Sequence, residues 1–180
     1  MSANVEVIQP DTEEGREVYG LLEELRTAYH PHLAEAKIVL AWRRGWRPTR
    51  EGLLKLAKAR KVGPLDKQLH GFDFVIELND EVWHAADFSR EQKAALLDHE
   101  LCHCSVKLDD YGEPETTDDG RPAWCIRKHD VEEFSEVVAR HGLWRYELER
   151  FARAALEAQK RRDKAPKLLD KEDQEGGKDD

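Results

Sequence analysis

The pentapeptide His99-Glu100-Leu101-Cys102-His103 restricts this chain more than any other stretch. It has the form H-E-x-x-H, and its chemistry needs a helix. Positions i and i+4 lie one turn apart on the same helical face. Two imidazoles at that spacing can grip one zinc ion. Glu100, beside the first imidazole, can act as general base toward a water on the metal. Any fold for this chain must therefore set residues 99–103 on a helix that reaches a metal and a substrate. Leu97 and Leu101 are expected to pack that helix inward.

Local signals agree. Ser89 and Gln92 have capping-box spacing, which predicts a helix from there past His103. Residues 72–78 alternate, with Phe72, Phe74, Ile76 and Leu78 on one side and Asp73, Val75 and Glu77 on the other, which predicts a strand. If that strand lies at a sheet edge, it can take an extended peptide as an added strand; if it has two neighbours, it is core. Residues 36–42 read as a buried strand. An apolar stripe of Val18, Leu21, Leu22, Leu25, Ala28 and Tyr29 predicts a first helix, capped by Asp11 and Glu14 and ended at His30-Pro31. A second helix is expected over about 50–60, behind Pro48-Thr49. Residues 109–122, rich in Asp, Gly, Pro and Thr, read as a loop. Asp130 and Glu133 are spaced to cap a helix that ends at His141-Gly142. Trp144, Leu148, Phe151, Ala152, Ala155 and Leu156 mark a last helix. Helices outnumber strands without regular alternation, so the expected class is α+β, a small mixed sheet packed against the H-E-x-x-H helix and further helices.

A catalytic zinc takes three protein ligands and keeps one position open. His129 is the expected third ligand, placed just before a helix from which it can swing back over its neighbour. Glu132 and Glu133 are carboxylate alternatives, and Glu133 could instead orient His129. Asp109 stands where a longer form of the motif would put its ligand, although Val106 replaces the turn glycine of that form. His84 and Tyr111 are conceivable donors to a developing oxyanion. Cys102, Cys104 and Cys125 could with a histidine make a closed structural site. They lack C-x-x-C spacing, and small buried side chains are the simpler expectation.

Composition narrows the class. The chain has 180 residues, which suits one domain, expected over 1–160. Residues 161–180 are mostly charged and lack aromatics, which predicts a disordered tail. No apolar run approaches membrane-spanning length, mean hydropathy is −0.79, and no secretory leader is expected at the start. Three cysteines, an odd number, favour reduced thiols and a cytoplasmic location. A net charge of −9 argues against wholesale coating of nucleic acid. One basic stretch runs against that trend: Arg43, Arg44, Arg47, Arg50, Lys55, Lys58, Arg60 and Lys61, with Trp42 and Trp46 at its start. It could track a phosphate backbone or cover the core as a solvated helix face. A zinc hydrolase therefore competes with a non-catalytic, zinc-stabilised binding module that contacts nucleic acid or a host protein. Glu100 separates the two, since a structural site has no use for a glutamate there.

The segments 72–78, 94–103 (Ala-Ala-Leu-Leu-Asp-His-Glu-Leu-Cys-His) and 128–134 (Lys-His-Asp-Val-Glu-Glu-Phe) resemble the phage metallopeptidase family. They are similar, more distantly, to SprT-like zincin proteases. The resemblance covers about residues 19–144. It implies a zincin-like peptidase fold, one zinc ion on His99, His103 and His129, Glu100 as catalytic base, and a protein or peptide substrate. It also implies a phage or prophage origin.

Overall fold

The computed structural model describes residues 4–50 and 52–164. The expected tail falls largely on residues 165–180, outside the described part. The chain divides into two compact units, one ending at Lys128 and the other beginning at His129.

The first unit is built on a four-stranded mixed sheet in the order β1-β2-β4-β3. Its strands are β1 (Val5–Val7), β2 (Ile38–Arg43), β3 (Ala57–Lys61) and β4 (Phe74–Asn79). β2 runs parallel to β4, with Leu40 opposite Ile76, and β1 is antiparallel to β2. β3 is antiparallel to β4, with Ala59 opposite Ile76. The alternation read in the sequence holds in β4: Phe74, Ile76 and Leu78 are fully buried, and Val75 and Glu77 less so. The strand begins at Phe74 because Asp73 is used differently. Its carboxylate is buried and accepts from Lys37 N–H and Arg121 Nη2, both at 2.9 Å, with Lys67 Nζ 2.9 Å from its other oxygen. Burial alone would raise the pKa of Asp73. These three cationic and N–H partners outweigh it and hold the carboxyl below its usual range.

Helix α1 (Glu13–Tyr29) lays Val18, Leu21, Leu22 and Leu25 into the core. Its cap is Thr12, whose Oγ1 accepts from Gly15 N–H at 3.0 Å, one residue beyond the expected Asp11. Gly15 is required there, because a Cβ would come within 1.8 Å of the Gln9 carbonyl oxygen. His30 caps the C-terminus, and a single 3-10 turn (Pro31–Leu33) leads to β2. Helix α2 (Pro64–His70), which the sequence reading lacked, connects β3 to β4, and the short α3 (Asp80–Trp83) follows β4.

The helix expected over 50–60 does not form. β3 occupies 57–61 instead, in the alternating sequence Ala-Lys-Ala-Arg-Lys. Asn79 guides the chain into it: Nδ2 donates to the Lys55 carbonyl at 2.8 Å, and the Asn79 N–H donates to the Leu56 carbonyl at 2.9 Å. β4 consequently has two neighbours, and the outer strand on this side is β3.

Helix α4 (Arg90–His103) starts with the expected capping box between Ser89 and Gln92 and ends at His103. Leu97 and Leu101 are fully buried beside α1 and sheet residues. The chain passes directly into β5 (Cys104–Val106), which pairs with β6 (Trp124–Ile126). The loop expected over 109–122 joins them, pinned by Thr117 N–H to the Arg121 carbonyl and by Arg121 to Asp73.

In the second unit residues 129–134 have no regular structure, α5 spans Ser135–His141, and α6 spans Tyr146–Lys164. α5 ends at Gly142, as expected, with φ of 70°. Its start differs from expectation: the residue before it is Phe134, and no side chain caps it. Glu133 instead accepts from Phe134 N–H at 2.9 Å and lies 3.5 Å from Arg145 Nη2, so no Asp130–Glu133 box forms.

Candidate metal centre

Residues 99, 100 and 103 reach their places through one rigid element. The capping box fixes where α4 begins, and buried Leu97 and Leu101 fix its rotation. The rings of His99 and His103 then stand 5.0 Å apart, edge to face. His103 is held further. Its Nδ1 lies 2.7 Å from the Arg127 carbonyl, and Arg127 N–H donates to the His103 carbonyl at 2.8 Å. A carbonyl only accepts, so Nδ1 carries the proton and Nε2 the lone pair. Histidines that bind metals are typically oriented by such a bond. Nitrogen donors one turn apart, one of them with its tautomer set, fit a zinc ion.

Glu100 is buried at 4% exposure although it is charged in type. Its Oε2 accepts from Ala59 N–H of β3 at 2.6 Å. Burial pushes its carboxyl above the usual range, opposed by the Ala59 N–H, His103 and Lys55. Cys104, buried one residue past His103, donates to the Glu100 carbonyl at 3.6 Å, and burial pushes its thiol up to about 12. No disulfide joins the three cysteines.

Glu100 and His99 line a cleft of about 480 Å³. Its other walls are Leu56, Ala57, Phe88, Gln92, Ala95 and Leu96. The cleft and the Ala59 contact were missed in the sequence. Their one local signal is the period-two pattern of 57–61, which marks a strand.

The remaining expected residues are placed as follows. Asp109 Oδ1 accepts from the N–H groups of Tyr111 and Glu113, closing its own turn. Tyr111 is 92% exposed. His84 has Nε2 on Glu14 at 2.5 Å and Nδ1 2.9 Å from Asp80 Oδ1, and its ring lies against Trp42. Neither Tyr111 nor His84 lines the cleft. In the second unit Glu132 gives its carbonyl to Arg145, and Glu133 its carboxylate. His129 opens that unit.

The basic stretch is no helix face. Trp42 is buried in the core; Arg44 pairs with Glu6 and Asp80, and Arg60 with Glu77. Lys61 donates to the Trp124 carbonyl, and Lys55 lies over the Trp46 ring. Arg43 lies in β2 and Lys58 in β3, while Arg47 is in the irregular segment between those strands. Nothing here favours nucleic-acid contact. Among the described residues no helix is long and apolar enough to cross a membrane.

No curated protein and no solved structure matches the chain. One family model does, over residues 10–156, under the description "Putative phage metallopeptidase". That span holds every strand but β1, together with the H-E-x-x-H helix, the 480 Å³ cleft and His129. The chain belongs to the phage metallopeptidase family.

Proposed function

We propose that this chain is a zinc-dependent, zincin-like peptidase of phage or prophage origin that works in the cytoplasm on proteins or peptides. The observation that carries this reading is Glu100. It is buried on the helix turn that carries His99 and His103, bonded to the edge strand, and lines a cleft. A purely structural metal site would not need a buried carboxylate there.

His99, His103 and His129 hold the metal. Support for His129 comes from chain connectivity. The Arg127 backbone holds His103 twice, its carbonyl accepting from the His103 ring and its N–H donating to the His103 carbonyl. Two further peptide units limit His129 to within ~7.6 Å of Arg127, Cα to Cα. Bound zinc supplies Lewis acidity, polarising a carbonyl and making a water acidic near neutral pH. Glu100 takes the proton of the attacking water and returns it to the leaving amine. Its carboxylate is positioned for this by α4 and by the Ala59 N–H. An extended peptide adds to β3, the outer strand, with its side chains meeting the apolar walls of the cleft.

The test is a peptidase assay on zinc-loaded protein with an unstructured protein substrate, comparing wild type with Glu100→Gln at equal zinc content. Cleavage by the wild type and its loss in the variant support the reading; equal cleavage by both refutes it.

A further inference from the structure

Helix α4 carries a second set of ligand-type side chains. Asp98 and Cys102 stand at i and i+4, as His99 and His103 do, but one residue earlier and so about 100° around the helix. His30 meets them from the C-terminal cap of α1. It is 5% exposed, and its Nε2 lies 2.6 Å from Asp98 Oδ1. One ligand atom from each of His30, Asp98 and Cys102 lies within 4.8 Å of the other two. Cys102 is exposed, so the cluster can be reached from solvent.

We propose that His30, Asp98 and Cys102 form a second transition-metal site, distinct from the one on His99 and His103. A hydrogen-bonded His–Asp pair needs only His30 and Asp98; Cys102 brings a third ligand-type atom within 4.8 Å of both. The set supplies one nitrogen, one oxygen and one sulfur. The thiolate and carboxylate together balance a divalent charge, and sulfur selects zinc or cobalt over magnesium or calcium. The frame is rigid where it matters. Asp98 and Cys102 are fixed to each other by one helical turn, and His30 is locked by burial between α1 and α4. Two ligands on a tetrahedral zinc sit roughly 3.3 Å apart, so the partly exposed Asp98 carboxylate shifts slightly away from the fixed His30 ring as the ion enters. Cys102 gives up its thiol proton on binding. Water completes the coordination on the exposed side. A metal there ties α1 to the active-site helix.

The experiment uses full-length protein loaded with Co²⁺ or Zn²⁺ and freed of excess metal. Metal content is measured for wild type, Cys102→Ser and the His99→Ala/His103→Ala double variant. Cobalt samples are also scanned for the thiolate-to-cobalt charge-transfer band in the near ultraviolet. The expected content is about two ions per chain in wild type and about one in each variant. The band is expected in wild type and in the double variant and absent from Cys102→Ser. Cys102 is exposed, so its replacement by serine leaves the fold intact. Absence of the band from wild type overturns the proposal, as does its persistence in Cys102→Ser or an unchanged metal content in that variant. Loss of metal from the His99/His103 position alone would refute the peptidase reading and leave this site standing.

Discussion

Glu100 Oε2 and the backbone nitrogen of Ala59 lie 2.6 Å apart, joining the last turn of α4 to the outer strand of the sheet. The contact gives the buried carboxylate a donor and gives an outward-facing N–H of β3 an acceptor. Removing the acceptor leaves that N–H unsatisfied. Glu100→Ala is therefore expected to lose about 1–3 kcal/mol of stability. Glu100→Gln keeps a carbonyl oxygen and sheds a buried charge, so it is expected to be at least as stable as wild type. Urea unfolding of both variants checks this. Equal destabilisation by both would show that the contact does not matter.

The apolar cleft makes a separate prediction. Ala95 lies on its wall, away from the core residues Leu97 and Leu101. Ala95→Trp fills the cleft while keeping all three histidines proposed to bind the metal. The expected outcome is unchanged zinc content and a fall in kcat/KM of about 10-fold or more, a loss of roughly 1.4 kcal/mol of transition-state binding. Steady-state kinetics on one peptide, with zinc content measured on the same samples, decides it. An unchanged kcat/KM would remove the cleft from the substrate path.

His129→Ala is expected to weaken zinc binding by on the order of 100-fold while leaving the first unit folded. Competition with a chromophoric chelator gives the affinity, and circular dichroism checks the fold. Unaltered affinity would exclude His129 as a ligand.

Asp73 ties together the backbone of Lys37, the α2 side chain of Lys67 and Arg121 from the 109–122 loop. Its pKa is lower folded than unfolded. The unfolded chain therefore binds this proton more tightly. The stability it contributes is full above the unfolded value of about 3.9 and is lost as pH falls through the folded value. Asp73→Asn is expected to cost about 3 kcal/mol at neutral pH. Its deficit against wild type should shrink below about pH 4. Parallel denaturation series at pH 7 and pH 3 test the sign, and a deficit that grows in acid would contradict it.

Where the sequence and the structure agree, the signal is local. α4 was legible because Ser89 and Gln92 form a cap through neighbouring atoms and because Leu97 and Leu101 share a face. β4 was legible from its period of two. Expectation failed where a distant partner decides. Pro48-Thr49 suggests the start of a helix over 50–60, but pairing with β4 and the Asn79 bond to Lys55 draw the chain into β3. The Asp130–Glu133 spacing fits a cap, but Arg145, twelve residues beyond Glu133, takes the carboxylate. The His30–Asp98 pair spans 68 residues, and no spacing rule reaches that far. The H-E-x-x-H motif was readable for the converse reason: its geometry lies within one helical turn.

The most direct test of the central claim is cleavage of an unstructured protein by zinc-loaded wild type and zinc-loaded Glu100→Gln. Both should contain the same amount of zinc. The account predicts that wild type cleaves and that the variant is slower by about 100- to 10,000-fold. Equal rates at equal zinc content would contradict it.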